Sequence, residues 1–305
     1  MTSRFTCLKD SSQLTDQSMS HGSADKPRRS ALYVPVNNAR ALAKGPKLNV
    51  DVLIYDLEDA ILPDQKLKAR KDLATHLAAS AHQAEVILRI NPVNSSAFYD
   101  DIEWLHLHQG IDGLLLPKVR SVNDITLLED LLLQLNLQIP IWVLVETIEA
   151  VINLAELVEV MVPGSALVLG AEDLARQMRI SHTPGRLGLL PILTQLVLHG
   201  RKADLSIIDA IFSNFENEAG FRQTCEQAKN LGFDGKSLIH PAQISIANEV
   251  FSPGAEEIEK AQKIITAWTQ KPDHLGVVSV EGQVIEALHV NQAHEVLRFS
   301  RSTKF

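Results

Sequence analysis

The chain has 305 residues, 45% of them hydrophobic, which suffices for a packed core in one large α/β domain or two ordinary ones and marks a globular protein. A formal charge of −8, with acids and bases interspersed and no Lys/Arg cluster interleaved with aromatics, argues against a nucleic-acid partner. No apolar run approaches the roughly 20 residues that span a bilayer, and the two cysteines, Cys7 and Cys225, build no disulfide framework, so the expected setting is a reducing cytoplasm away from membranes.

Residues 1–27 lack the apolar stretch of a secretory signal, and Asp10, Asp16 and Asp25 disfavour an Arg-rich presequence; the expectation is a disordered Ser- and Thr-rich tail. From position 28 a pattern repeats. Short apolar runs at 30–36, 52–57, 86–90, 113–118, 141–145, 166–169, 206–211 and 235–239 read as strands, each followed by helical sequence. Helices are expected over 66–79, 99–107, 123–135, 150–161, 192–201 and 220–231, with a shorter one near 37–44.

Two of these runs, Ile141–Val145 and Ala166–Leu169, end directly in acid: Glu146-Thr147 after the first and Gly170-Ala-Glu-Asp173 after the second. A strand, helix, strand order makes them parallel, so their carboxyl ends lie side by side. Neither run holds a base to neutralise Glu146 and Asp173. Two readings stay open from this stretch alone: a shared hard cation such as Mg²⁺, with Mn²⁺ possible, or caps for the helices that follow.

Eight strand–helix units in a little over 200 residues match a (β/α)8 TIM barrel, for which about 250 residues is typical. An open doubly wound sheet usually stops near six strands, and no Gly-x-Gly-x-x-Gly turn or P-loop recommends it. The barrel places Glu58, Asp59, Arg89, Asn91, Lys118, Glu146, Asp173 and His240 at or just past strand carboxyl ends, where barrel enzymes put their sites. Beyond 270 the pattern changes. Val277–Val280 and Gln283–Ile285 flank an acid-Gly turn, and 287–299 reads as a helix, giving a barrel over 28–270 and a C-terminal lid over 271–305 too small for a core of its own.

Seven motifs in order carry a resemblance: Arg29-Ser-Ala-Leu-Tyr-Val-Pro35, Tyr55-Asp-Leu-Glu-Asp-Ala60 with Lys68-Ala-Arg70, Leu88-Arg-Ile-Asn91, Leu116-Pro-Lys-Val119, Val145-Glu-Thr147, Leu169-Gly-Ala-Glu-Asp173, and Gly232-Phe-Asp-Gly-Lys236 with Ile239-His-Pro-Ala-Gln243. Together they resemble the citrate lyase β-subunit-like (HpcH/HpaI aldolase/citrate lyase) family, which includes malyl-CoA and citramalyl-CoA lyases. The resemblance implies a Mg²⁺-dependent barrel that cleaves a 3-hydroxy-acyl-CoA (malyl-, methylmalyl- or citramalyl-CoA, or a citryl thioester) into an acyl-CoA and a 2-oxo acid by a retro-Claisen reaction. It implies Glu146 and Asp173 as metal ligands, Arg89 as the arginine that holds the oxo acid, Glu58 and Asp59 as groups that orient Arg89 or metal-bound water, and Arg29 near the substrate mouth. CoA is implied as part of the substrate, with no residue assigned to it. A homo-oligomer, trimer or hexamer, that exchanges lids between subunits is also implied.

At the lid, family members carry Gly-x-Met-Ile-Asp, where this chain has Gly282-Gln-Val-Ile-Glu286. The carboxylate survives on a side chain one methylene longer, a shift of about an ångström that can cost on the order of 100-fold. Glu286 is therefore expected as a catalytic acid in a rebuilt pocket, with another substrate or reduced catalysis as the alternatives there; for the chain as a whole the rival readings are a non-catalytic or impaired CoA- or oxo-acid-binding subunit and a thioesterase on the same thioesters. Lys118 fits the Pro-Lys motif as an electrostatic substrate contact; the rival role is a Schiff-base nucleophile. His240 is expected to hydrogen-bond in the core.

Overall fold

The computed structural model describes residues 26–302 apart from 182 and 273, so nearly all of the tail expected over 1–27 lies outside the described residues. Strands β1 (Ser30–Pro35), β2 (Val52–Asp56), β3 (Glu85–Arg89), β4 (Gly113–Leu116), β5 (Ile141–Val145), β6 (Ala166–Leu169), β7 (Ser206–Asp209) and β8 (Gly235–Leu238) close a parallel barrel in sequence order, β8 pairing back onto β1. The chain is thus an α/β protein with the (β/α)8 architecture that its apolar runs predict.

Alternation along the strands explains why the runs are apolar throughout. Val52, Ile54, Ile87, Leu115, Trp142, Leu144, Val168 and Ile208 fill the barrel interior, while Leu53, Tyr55, Leu88, Leu114, Leu116 and Val143 face outward to the helices. Period-two alternation also turns the last residues of β2 and β3, Asp56 and Arg89, toward the interior.

The helices are α1 (Ala39–Lys44), α2 (Lys66–Ala79), α3 (Ser96–Leu107), α4 (Val122–Gln134), α5 (Ile148–Ile152), α6 (Leu154–Val160), α7 (Ala171–Met178), α8 (Leu190–Lys202), α9 (Glu218–Leu231), α10 (Ile244–Val250), α11 (Ala255–Gln270) and α12 (Ala287–Ser302). The single helix expected over 150–161 is broken at Asn153, whose side chain donates to the Arg120 carbonyl at 2.8 Å while its backbone leaves helical geometry. No described helix is long and apolar enough to cross a membrane.

The amino end of the barrel is closed by paired charge. Arg28 donates to both oxygens of Glu85 at 2.7 and 2.8 Å, to Ser206 Oγ at 2.9 Å and to the Gly164 carbonyl at 3.0 Å, and lies 4.6 Å over the Trp142 ring. Gly235 permits this approach, since a Cβ there would fall 1.9 Å from the Arg28 carbonyl.

Past the barrel, β9 (Val278–Val280) and β10 (Gln283–Ile285) form an antiparallel hairpin whose turn residues Glu281 and Gly282 both have positive φ. The hairpin and α12 hold a core by recruiting α11: Ala261, Ile264, Ile285, Val290 and Ala293 are buried together, with Trp268 packed beside them. The far half of α12 borders a cavity of about 700 Å³ at the amino end of the barrel, shared with Arg28, Ser206 and Phe233.

Candidate active site

At the carboxyl end of the barrel, Arg89 projects from the end of β3 and is held by the last residue of β2. Its Nε and Nη2 donate to Asp56 Oδ1 and Oδ2 at 2.8 and 2.6 Å, a two-pronged pair, and its guanidinium stacks 5.0 Å from the Tyr33 ring. Nη1 lies 3.0 Å from Glu58 Oε2. That contact is an ion pair without hydrogen-bond geometry, since Glu58 Oε2 is buried with no hydrogen-bond partner among the described residues. Burial works against the charge on Arg89, but Asp56 more than compensates and keeps the guanidinium fully protonated.

Lys118 comes from the turn after β4, with a positive φ of 54°. Its ammonium sits among four carboxylates, 2.7 Å from Asp173 Oδ2, 3.4 Å from Glu146 Oε1, 3.6 Å from Asp59 Oδ2 and 4.0 Å from Glu58 Oε1. Its backbone N–H donates to Glu146 Oε1 at 2.8 Å. Burial favours the neutral amine, but the hydrogen bond to Asp173 and the charges of Glu146, Glu58 and Asp59 outweigh it and hold the lysine above its ordinary value. An ammonium ion-paired to four carboxylates fits the electrostatic role better than that of a Schiff-base nucleophile.

Glu146 follows β5 directly and is buried; Asp173 lies in the first turn of α7. The capping alternative fails for both. Thr147 caps α5 by accepting from the Ala150 N–H at 3.0 Å, and α7 has no side-chain cap. Gly170 lets the two strand ends meet, because a Cβ there would lie 2.4 Å from Glu146 Cβ. Burial, countered by Lys118 and reinforced by Glu58 and Asp173, pushes Glu146 up to about 7. Glu58 is likewise pushed up to about 7, mainly by burial, with Arg89 opposing and Asp59 reinforcing. Asp173 is penalised by burial, but Lys118 prevails and holds it below the usual carboxylate range.

Glu146 Oε1 and Asp173 Oδ2 lie 3.4 and 2.7 Å from the one ammonium of Lys118, so both carboxylates face a single point that a small cation could occupy. Among the described residues no group of three or more His, Cys, Asp or Glu side chains is arranged to hold a metal ion. A pair still fits Mg²⁺, which commonly takes one or two carboxylates and completes its shell with water and substrate oxygens. Beside the pair opens a cavity of about 370 Å³, lined by Lys118, Asp173, Asn94, Arg120, Thr147 and Arg176.

Of the residues singled out in the sequence, Arg89, Glu58, Asp59, Lys118, Glu146 and Asp173 come together, Asp59 as the exposed member. Arg29 does not. It stands at the amino end of β1, buried, with Nη2 2.7 Å from Asp51 Oδ1 and Nη1 3.0 Å from Ser252 Oγ, so its role near the substrate mouth is replaced by a structural ion pair at the opposite end. Glu286 is exposed on the C-terminal unit, its backbone N–H donating to His289 Nδ1 at 3.0 Å, and no described contact joins it to this site. His240 is exposed rather than in the core, stacked 4.6 Å from Phe215.

Sequence reasoning missed Asp56, although the Val52, Ile54, Asp56 alternation pointed it inward. It also missed Lys66, which donates to the carbonyls of Leu57 and Glu58 and to Asn91 Oδ1 and so braces the loop that carries Glu58. Only the distance of Lys66 behind an acidic strand end hinted at this.

Comparison with known proteins adds relatives to this geometry. Residues 29–241 match the family model described as HpcH/HpaI aldolase/citrate lyase. The chain is similar to a (3S)-malyl-CoA thioesterase from Cereibacter sphaeroides, 37% identical over 89% of this chain and 94% of that protein. It is also similar to a citrate lyase subunit beta from Haemophilus influenzae, 30% identical over 91% of this chain and 98% of that one. Among solved structures, protein CitE from Mycobacterium tuberculosis in complex with magnesium, acetoacetate and coenzyme A superposes with a TM-score of 0.75, at 24% identity, covering 92% of this chain and 99% of that chain.

Proposed function

The chain belongs to the HpcH/HpaI aldolase/citrate lyase family, and from that premise we propose that it is a Mg²⁺-dependent enzyme of 3-hydroxy-acyl-CoA thioesters, splitting the bond between the thioester α-carbon and the hydroxyl-bearing carbon. Malyl-, methylmalyl- and citramalyl-CoA and a citryl thioester are the candidate substrates; the products are an acyl-CoA and a 2-oxo acid. The observation that carries the reading is the meeting of an Asp56-clamped arginine with the Glu146–Asp173 carboxylate pair on one barrel face.

With Nε and Nη2 engaged by Asp56, Arg89 keeps for a substrate carboxylate only Nη1, which lies 3.0 Å from Glu58 Oε2 without hydrogen-bond geometry. Glu58, buried beside it with a value near 7 and one oxygen lacking a hydrogen bond, is suited to take the hydroxyl proton as the C–C bond breaks. Mg²⁺ held by Glu146 and Asp173 would supply Lewis-acid polarisation to the hydroxy-acid oxygens. The enolate left on the acyl-CoA needs an acid from elsewhere. We assign this to Glu286 of a second copy, in a homo-oligomer that shares hairpins, because within one chain Glu286 makes no contact with the site.

A second reading, thioester hydrolysis, is favoured by the 37% identical relatives named malyl-CoA thioesterase. Water would attack the thioester carbonyl, with Glu58 as its base. One assay separates the two. Each thioester is incubated with protein and Mg²⁺, with and without EDTA, while 2-oxo acid and free thiol are both quantified. Cleavage yields oxo acid without thiol; hydrolysis yields thiol without oxo acid. Neither product above the rate of an Arg89→Ala variant, with every thioester tried, would leave a binding subunit and sink both readings.

A further inference from the structure

The ammonium of Lys118 stands where the cation of the proposed function would stand. Its left-handed backbone, seldom adopted by residues with side chains, throws the side chain across the barrel mouth to within hydrogen-bond reach of Asp173, with Glu146, Asp59 and Glu58 close behind. An ammonium and a divalent ion cannot both sit against Asp173 Oδ2 and Glu146 Oε1, because like charges a few ångströms apart repel strongly in a partly buried site.

We infer that Lys118 and the divalent cation are alternative occupants of the Glu146–Asp173 pair, and that metal binding turns the ammonium into the adjoining cavity, where it receives an anionic group of the substrate. The inference rests on the reading of that pair as the metal site. Three observations support the exchange. Lys118 is 29% exposed, so its flexible stem is not locked in place. It already lines the 370 Å³ cavity, together with Asn94 and Arg120. Arg120 has no hydrogen bond or ion pair from its guanidinium to the described residues, so in a lining that also holds Glu149 and Asp173 it is a cation open to an anion.

Two consequences follow. The lysine keeps four crowded carboxylates from repelling one another, and in doing so it weakens their affinity for metal. The lysine also becomes available to substrate only once metal has bound, which orders the two events.

The test uses Mn²⁺ as a paramagnetic probe, its free concentration read by electron paramagnetic resonance during titration of the full chain. Lys118→Met removes the charge at nearly constant length and should bind Mn²⁺ tighter than the parent by roughly tenfold or more; Lys118→Gln serves if the first variant does not fold. Equal or weaker binding by a folded variant overturns the inference while leaving the metal site in place. Absence of Mn²⁺ binding by the parent and both variants overturns the metal site itself. On the unmodified protein, mass spectrometry after mild amine acetylation reads the movement directly. Mn²⁺ should increase labelling of Lys118, and unchanged or reduced labelling contradicts its release into the cavity.

Discussion

At the amino end of the barrel, Arg28 and Arg29 each face one carboxylate, Glu85 and Asp51, in two-pronged pairs buried from solvent. At the carboxyl end, the single ammonium of Lys118 is divided among Glu58, Asp59, Glu146 and Asp173, and a buried oxygen of Glu58 has no hydrogen bond at all. Both ends cost desolvation energy. The first recovers it through one-to-one pairs of good geometry; the second has such a buried pair only at Arg89–Asp56, while Asp173 is shared by Lys118 and Arg176. The excess of acid at the carboxyl end is what the proposed cation would complete.

The largest separation of the two ends should come from their arginines. Arg89→Ala would remove the proposed substrate contact and strand Asp56, so kcat/KM on the responsive thioester should fall by on the order of 100–1000-fold. The same substitution retaining activity would remove Arg89 from the mechanism. Arg29→Met should do the reverse. Breaking its buried pair with Asp51 should cost about 3–5 kcal/mol in denaturant unfolding, with kcat/KM nearly unchanged below the transition. A comparable loss of activity in folded Arg29→Met protein would return that residue to the site.

Much of this contrast was legible in the chain. The apolar runs gave the barrel because strands buried on both faces leave a continuous signal, and strand direction alone put Glu146, Arg89 and Lys118 on one face. The same rule would have put Arg29 at the opposite end, since it precedes β1 rather than following it; the resemblance overrode the rule. What no local reading could supply was the counter-ion. Neither acid-tipped run holds a base, and Lys118 reaches Asp173 only because β4, β5 and β6 are neighbours in the closed sheet. The break at Asn153 was hidden for the same reason, as it depends on a carbonyl from the preceding unit.

Glu286 sharpens the comparison by testing whether one chain completes its own face. If a neighbour's hairpin supplies this acid, Glu286→Gln should lower turnover by about 100-fold. Mixing the Glu286→Gln protein with Arg89→Ala protein and allowing subunits to exchange should recover part of the activity, since some hybrid sites combine an intact Arg89 with an intact Glu286. No recovery, with exchange verified by mass, would argue that each chain works alone. Glu286→Asp then reports the fit of the longer side chain: a loss of activity says the pocket is built around glutamate, a gain says it is not.

The smallest expected effect concerns pH, and it pulls in opposite directions in two regions. Behind β2, the Tyr55 hydroxyl lies 2.8 Å from Nε2 of both His76 and His82. Burial holds both histidines below the ordinary value of 6.5; His82 adds to the effect at His76, while Ser80 and Asp112 partly offset it at His82. The folded state therefore binds fewer of their protons than the unfolded chain. Their contribution to stability is present above 6.5 and is lost as pH falls toward the depressed values. Glu58 and Glu146 behave the other way. Raised to about 7, they keep protons in the folded state that the unfolded chain releases, so their contribution is present below 4.5 and is lost as pH rises through about 7. Urea midpoints measured from pH 5 to 8 should thus lose acid-side sensitivity in a His76→Gln/His82→Gln variant and alkaline-side sensitivity in Glu146→Gln. Saturating Mg²⁺ should oppose only the second slope, because a hard cation favours ionised carboxylate oxygens over imidazole nitrogens. A Mg²⁺ effect of equal size in Glu146→Gln and in the parent would place the ion somewhere other than the carboxyl face.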